Sequence, residues 1–125
     1  MEFIHAPKAC ASVGPYSHCV KAGSTYYLCG QVPFHPVTGE VVGNGMKEQA
    51  VQTLANMKAV LDAAGLTVTD IAKTTVFVTN MDDFAAFNEV YAAFMGEHRP
   101  ARVCVEVSNI AHGCLLEMDA ICFKE

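Results

Sequence analysis

Apolar side chains recur at the spacing of an α-helix in two segments of this chain. In the first segment, 46–64, they form one face made of Ala50, Leu54, Met57, Leu61 and Ala64. Gly65 follows directly, and glycine is the usual residue just beyond a helix C-terminus. The pattern therefore predicts a helix over 46–64 that ends at Gly65.

The second helical pattern covers 82–95, and its apolar face is mostly aromatic: Phe84, Phe87, Tyr91 and Phe94. We interpret this stripe as core packing. Asp82 is the predicted N-cap, because an aspartate there accepts hydrogen bonds from the free N–H groups of the first turn. Gly96 follows the last apolar position.

Other apolar segments have the composition or the alternation of β-strands. The predicted strands are 16–21, 25–32, 71–79, 102–107 and 115–123, with a possible short hairpin at 41–42. Because helices and strands alternate in only part of the chain, the order predicts an α+β fold. We expect one domain, 1–125, with a mixed sheet and both helices on one of its faces.

Charged residues interrupt two of the alternating strands. Val103, Val105 and Val107 share one face of their strand, and Arg102 and Cys104 share the other. We expect the helices to cover the valine face, leaving Arg102 on the opposite face with Glu117 and Asp119. A sheet face that is both apolar and charged is a poor solvent face, so it predicts a subunit interface whose charges line pockets.

Charge and composition narrow the function. The 125 residues carry a formal net charge of −5, with 8 Lys and Arg against 13 Asp and Glu. Arg99 and Arg102 are the arginines, and the lysines are scattered: Lys8, Lys21, Lys47, Lys58, Lys73 and Lys124. A nucleic-acid-binding protein usually clusters its cations. The sequence therefore argues against RNA or DNA as the main partner.

Cysteine and histidine spacing predicts no metal site. The six Cys include no CxxC pair, and the five His show no HxH or HxxxH spacing. The start of the sequence lacks the features of a secretory signal, so we expect a cytoplasmic protein with reduced thiols. The longest stretch without a charged residue, 22–39, contains Gly, Pro, Gln and His and predicts no membrane span.

Arg102 and Glu117 are the strongest candidates for chemistry. A guanidinium offers paired donors to a carboxylate or phosphate, so Arg102 is either a clamp for an anionic ligand or one half of an ion pair with Glu117 or another acid. Glu117 lies within a strand. A carboxyl group in a partly dry pocket can move a proton or hold a water, and the alternative is again an ion pair.

Four further residues are candidates for a ligand site, and each also has a purely structural interpretation. Tyr16 can present its hydroxyl to a ligand or simply pack, and Gly30 either allows the backbone to approach a ligand closely or marks a bulge. Cys29 is either a nucleophile or a small buried residue. Asn88, between two aromatic residues of the second helix, bonds a ligand or a loop, or faces solvent. No glycine-rich phosphate loop or other cofactor motif is present.

Several runs of residues together resemble a known family. They are GPYSHCV (14–20), YYLCGQVPFHPVTGEVV (26–42), QTLANMKAVLDAAGL (52–66), KTTVFVTNMDDFAAFNEVY (73–91) and PARVCVEV (100–107). In this order they resemble the RidA group of the Rid family, also called YjgF or L-PSP-like. The resemblance extends over nearly the whole chain, from about residue 6 to residue 123.

The resemblance implies a chorismate-mutase-like α+β fold and a homotrimer whose sheets build a central barrel, with clefts between subunits. It implies a deaminase that hydrolyses enamines and imines such as 2-iminopropanoate and 2-iminobutanoate to 2-keto acids and ammonia, without a metal or organic cofactor. Arg102 matches the residue that binds the substrate carboxylate, and Glu117 matches the acid that holds or activates water. The matching pocket positions are Tyr16, Gly30, Asn88 and the backbone at Cys104.

The sequence departs from the family at two places. Cys29 stands where serine is common, which makes it a weaker donor in the substrate pocket and exposes the site to oxidation. The segment before Pro100 is short, and Arg99 stands where an aromatic residue is common. We expect these departures to reshape a wall of the cleft and to alter substrate preference; the alternative, in which Arg99 competes as an anion contact, is disfavoured by its place in the loop. Two other functions remain as alternatives: a ribonuclease or translation inhibitor, and a non-enzymatic binder of small acids or redox-switched chaperone.

Overall fold

Six strands form one mixed sheet in the computed structural model, which describes residues 1–125. In chain order they are β1 (Glu2–Ile4), β2 (Cys19–Ala22), β3 (Thr25–Gln31), β4 (Ile71–Val78), β5 (Ala101–Glu106) and β6 (Leu116–Phe123). The spatial order is β1-β2-β3-β6-β4-β5, in which only β4 and β5 are parallel. The predicted α+β fold with a mixed sheet is confirmed.

Two helices pack side by side on one face of this sheet: α1 (Met46–Ala63) and α2 (Phe84–Met95). The end of α1 follows the prediction closely. Gly65 takes a left-handed φ of 72°, which lets the Leu66 N–H bond the Leu61 carbonyl at 2.9 Å and close the last turn. Neither helix combines the length and the apolar character that a membrane span requires.

The start of α2 differs from the prediction. Asp82 is not its N-cap, because residues 81–83 form a short 3₁₀ turn and the helix begins after Asp83. Asn80 caps that turn: its side-chain oxygen accepts a hydrogen bond from the Asp82 N–H at 2.9 Å. The polar cap therefore lies further upstream than the apolar spacing indicated.

The N-terminal strands also differ. The strand predicted over 16–21 begins only at Cys19, because residues 14–17 belong to a loop. Strand β1 was not predicted; it is an edge strand whose partner is β2. The possible hairpin at 41–42 is reduced to a single bridge between Phe34 and Val41.

The core lies between the helices and the sheet. Strand β5 turns the face with Arg102 and Cys104 towards the helices, whereas we predicted that the valine face would be covered. Val76 and Met118 are fully buried beneath the helices, and Cys104 pairs with Val76 on β4. Val103 and Val105 lie on the open face with exposures of 43% and 40%. Alternation along one strand defines two faces, but only the pairing register decides which of them meets the helices.

Candidate functional site

Arg102 is held by α2 at the edge of the sheet. It lies on β5, which pairs on one side only, and points to the helix side. Its guanidinium carbon lies 4.8 Å from the ring centre of Tyr91 and 5.2 Å from that of Phe84. Its Nη1 donates to the Asn88 side-chain oxygen at 2.7 Å. The cation is thus fixed in direction before any ligand arrives.

The rings that hold Arg102 are themselves fixed. Tyr91 is buried, and its hydroxyl forms a 2.8 Å hydrogen bond with the hydroxyl of Thr74, which is also buried. The aromatic stripe interpreted as core therefore has a second role, because Phe84 and Tyr91 also contact the guanidinium. The sequence carried a sign of this, since Phe84, Asn88 and Tyr91 recur at helical spacing.

Cys104 lies two residues from Arg102 on the same strand and the same face. Burial raises the pKa of its thiol, and the nearby Arg102 charge partly offsets that rise. The thiol therefore stays protonated near neutral pH. Strand β5 lies at the edge of the sheet. The backbone N–H and C=O groups on its outer side therefore have no partner strand in the chain.

Glu117 lies on the open face and packs over Gly30. A Cβ atom at residue 30 would collide with the Glu117 Oε2 and lie 3.0 Å from its Cδ. The register of β3 against β6 also shifts between Leu28 and Gln31. The register shift marks a bulge at Gly30, and the missing Cβ leaves room for the Glu117 carboxyl group; a close approach of the Gly30 backbone to a ligand stays a prediction.

A groove of about 360 Å³ surrounds this carboxylate. The residues that line it are Val13, Tyr16, Cys29, Gly30, Val32, Phe34, Ala111 and Glu117. Burial raises the pKa of Glu117 above its ordinary value of 4.5, and the nearby Asp119 raises it further. A carboxyl group with a raised pKa in a largely apolar groove is suited to exchange a proton with a water or a bound ligand.

Cys29 is half-buried in the groove. The Gln31 side-chain nitrogen donates to its Sγ at 3.1 Å, and its own backbone N–H donates to the His18 carbonyl at 2.9 Å. Burial raises the pKa of the thiol; the hydrogen bond from Gln31 offsets part of that rise, and the Glu117 charge adds a little to it. The thiolate is therefore disfavoured, which argues against Cys29 as a nucleophile. Sequence reasoning missed Gln31, although it directly follows the glycine that shapes the groove.

We expected Arg102 and Glu117 to share one face of the sheet, but they lie on opposite faces. Glu117 pairs with Phe77 on the open face, whereas Arg102 pairs with Thr74, which is buried beneath the helices. The two side chains form no ion pair, so that alternative is wrong within this chain; the salt bridges are Lys47–Glu89 and Lys58–Asp62. The candidate residues fall into two groups, an Arg102 group and a Glu117 group.

Arg99 does not join either group. Its Nη1 donates to the carbonyls of Gly96 and His98, at 2.6 and 2.9 Å, so its guanidinium closes the turn after α2. No three His, Cys, Asp or Glu side chains lie together in a way that would hold a metal ion.

Known proteins resemble this chain over its whole length. The family model described as Endoribonuclease L-PSP matches residues 5–124. A RutC family protein of Pyrococcus horikoshii is 47% identical over 99% of this chain and 98% of its own. The 2-iminobutanoate/2-iminopropanoate deaminase of Escherichia coli is 44% identical over 97% and 96%.

Solved structures of the same kind of protein share the fold. The crystal structure of a putative endoribonuclease from Thermotoga maritima superposes with a TM-score of 0.96 at 41% identity, covering 100% of this chain and 98% of that one. The fold and the two groups of site residues define a small α+β protein of the RidA, YjgF and L-PSP kind. The chain belongs to the Endoribonuclease L-PSP family, in which the RutC and RidA proteins are its relatives.

Proposed function

We propose that this protein is a hydrolytic deaminase of small 2-imino acids and their enamine tautomers, with sites formed between the subunits of a homotrimer. The observation that carries the proposal is the pair of complementary half-sites. One holds the preset guanidinium of Arg102, and the other holds the raised-pKa carboxyl of Glu117 in a groove. The name of the Escherichia coli relative supports the substrate class.

Arg102 binds the carboxylate of the substrate in this proposal. A guanidinium offers two parallel N–H groups to a carboxylate, and only one of its nitrogens bonds Asn88. The aromatic rings on either side already restrict its rotation, so the guanidinium loses little conformational freedom when the anion binds. Tyr16, Cys29 and the backbone near Gly30 and Cys104 surround the rest of the substrate.

Glu117 handles the water and the protons. Its carboxylate takes a proton from a water that attacks the imine carbon, so a C–O bond forms and the C=N bond becomes single. Glu117 returns that proton to the nitrogen, which gives a carbinolamine. It then carries the hydroxyl proton of the carbinolamine to the same nitrogen, so the C–N bond breaks, the C=O bond of the 2-keto acid forms and ammonia leaves. Imine and water are thereby converted into 2-keto acid and ammonia. Positioning and proton transfer supply the rate, because the iminium carbon is already electrophilic.

A second copy of the chain completes the site. The open face of the sheet exposes large apolar side chains around the Glu117 row: Phe3, Tyr27, Val103, Val105 and Phe123. Such a surface is expected to be covered by a partner. A symmetric trimer would cover it and bring the Arg102 group of one subunit to the Glu117 groove of the next. We place this activity in the cytoplasm, where the thiols stay reduced.

Release of ammonia and 2-keto acid from freshly generated 2-iminopropanoate and 2-iminobutanoate tests the proposal. Wild type is expected to accelerate the release, and Arg102→Ala is expected to lose about 100-fold or more in kcat/KM while keeping its oligomeric state. Arg99→Ala is the matched control and should behave like wild type, since Arg99 bonds only nearby carbonyls. A wild type no faster than the uncatalysed reaction would refute the assignment.

The family description favours a second candidate, an endoribonuclease. Cleavage of RNA requires contact with phosphates, whose strength falls steeply with salt. The net charge of −5 and the scattered lysines oppose it. Salt-dependent binding and cleavage of a single-stranded RNA by wild type, lost in Arg102→Ala, would favour this function over the deaminase.

A further inference from the structure

The buried imidazole of His18 forms hydrogen bonds with the backbone at two points of the N-terminal segment, Ala6 and Cys10. It is 2% exposed. Its Nδ1 accepts a hydrogen bond from the Ala6 N–H at 2.9 Å, and its Nε2 lies 2.9 Å from the Cys10 carbonyl. Because Nδ1 accepts, the ring is neutral and Nε2 carries the proton that is donated to Cys10. Its own carbonyl accepts from the Cys29 N–H at 2.9 Å.

The segment fastened in this way carries one wall of the groove. Residues 7–17 contain no helix or strand, and their other hydrogen bonds, Ala9 to Ala6 and Tyr16 to Gly14, are local. The bond between Cys10 and His18 is the only hydrogen bond that a side chain makes to this segment. Val13 and Tyr16 of this segment line the Glu117 groove. Cys10, Tyr16, His18 and Cys29 also line one small cavity of about 30 Å³.

We propose that His18 is a positioning residue of this site: its neutral imidazole holds the segment 7–17 so that Tyr16 stands over the Glu117 groove. This inference rests on the proposed deaminase function. His18 does not touch the substrate; it acts through Tyr16.

Two substitutions separate hydrogen bonding from packing. His18→Gln keeps one acceptor and one donor at nearly the spacing of the two ring nitrogens, so it can still join Ala6 and Cys10. His18→Leu keeps the apolar bulk and removes both bonds. His5→Leu is the matched control, because the His5 ring stacks on His18 at 4.9 Å but forms no hydrogen bond to the segment.

We expect His18→Leu to lower kcat/KM for 2-iminobutanoate by about 10- to 100-fold, since a misplacement of about 1 Å at a positioning group costs that much. His18→Gln should restore most of the activity, and His5→Leu should match wild type. In a Tyr16→Ala background, His18→Leu should cost little more, because its effect passes through Tyr16. A loss of stability alone would add to the Tyr16→Ala loss.

Amide hydrogen exchange of residues 7–17 provides a readout that does not depend on activity. His18→Leu should speed exchange there and leave β3 and β6 unchanged, and His18→Gln should not. If His18→Leu fails to assemble, His18→Asn takes its place, because its shorter side chain cannot reach both partners.

The outcomes are distinct. Unchanged exchange and activity in His18→Leu, or additive losses with Tyr16→Ala, would overturn the role of His18 and leave the deaminase intact. An inactive wild type would refute the proposed function and this role with it, whereas the exchange data would still show whether His18 restrains the segment.

Discussion

At the scale of single residues, the environment of Glu117 determines its chemistry. The carboxyl lies over Gly30 in a largely apolar groove, and Asp119 shares its face of β6. Burial and then the like charge of Asp119 favour the protonated form, so the pKa of Glu117 lies above 4.5. In the proposed mechanism, the ionised form is the one that activates water.

The activity should therefore fall as the pH decreases through a midpoint above 4.5. Asp119→Asn removes the like charge and should move this limb of the kcat/KM profile to lower pH, and Glu117→Gln should abolish it along with most of the activity. A profile measured with 2-iminobutanoate, corrected for uncatalysed hydrolysis, checks this. A midpoint at or below 4.5, or a limb unchanged in Asp119→Asn, contradicts the assignment.

Stability should respond to pH with a definite sign. Between pH 4.5 and the raised folded pKa of Glu117, the folded protein binds more protons than the unfolded chain, so stability decreases as the pH rises through that window. Glu117→Gln should therefore melt above wild type at neutral pH, and the difference should disappear below pH 4.5. Melting curves at the two pH values test the sign.

Gly30→Ala tests the close approach directly. The added methyl group would collide with the Glu117 carboxylate, which must then move. We expect kcat/KM to fall about 10- to 100-fold with the fold retained, because a displaced proton-transfer group loses its alignment. Gly45→Ala is the matched control, since its Cβ would meet nothing within 4 Å and its φ of −120° suits any residue. Equal effects at the two glycines would contradict this account.

At the scale of elements, the two helices serve the two half-sites separately. On α1, the Asn56 side chain donates to the carbonyls of Val32 and Phe34, both at 2.9 Å, and so fixes a wall of the groove. Gln49 accepts from the Leu115 N–H at 2.8 Å, just before β6 and Glu117. α2 instead holds Arg102 through Phe84, Asn88 and Tyr91.

The link between α2 and β4 can be tested through Tyr91. Tyr91→Phe leaves the buried Thr74 hydroxyl without its 2.8 Å partner, which should cost about 1–3 kcal/mol of the free energy of unfolding. The ring still contacts Arg102, so KM should change little. The double variant Tyr91→Phe, Thr74→Val removes both polar groups and should recover most of the stability. Chemical denaturation with parallel kinetics measures both; a large rise in KM for Tyr91→Phe would contradict the division of roles.

At the scale of the whole molecule, the sheet separates the cation from the acid. Arg102 and Glu117 lie on opposite faces, so one chain alone does not bring the Arg102 guanidinium to the Glu117 groove. The exposed apolar side chains of the open face, Val103 and Val105 among them, lie in the same rows as Asp119 and Glu117. In the proposed assembly, formation of the trimer both covers this face and completes the site.

Mixing two inactive variants tests this arrangement. When Arg102→Ala and Glu117→Gln chains are co-refolded in equal amounts, random assembly gives about a quarter of the intersubunit sites both native residues. Activity should then return to about a quarter of the wild-type value, with a trimeric mass by sedimentation. A mixture that stays inactive, although mixed trimers form, would place both residues of each site in one chain.

The sequence by itself determined the helices, most strands and the candidate residues. Periodicity reports the local backbone, so α1 was predicted to within one residue, whereas the start of α2 was misplaced because its cap is the Asn80 turn upstream. Arg102 and Glu117 were recognisable because charges within apolar strands are uncommon. Four of the candidate residues, Tyr16, Cys29, Gly30 and Glu117, line one groove. The family resemblance added the expected role of each residue and the backbone at Cys104.

Only the tertiary structure decided how these residues face one another. The register of β5 against β4 placed Arg102 on the helix side, opposite to our expectation, because a shift of one residue exchanges the faces of every side chain on a strand. The fit of Glu117 over Gly30 and the hydrogen bond from Asn56 to the Val32 carbonyl likewise join residues far apart in sequence. Such contacts depend on how distant elements pack, and the periodicity of a short segment does not contain that information.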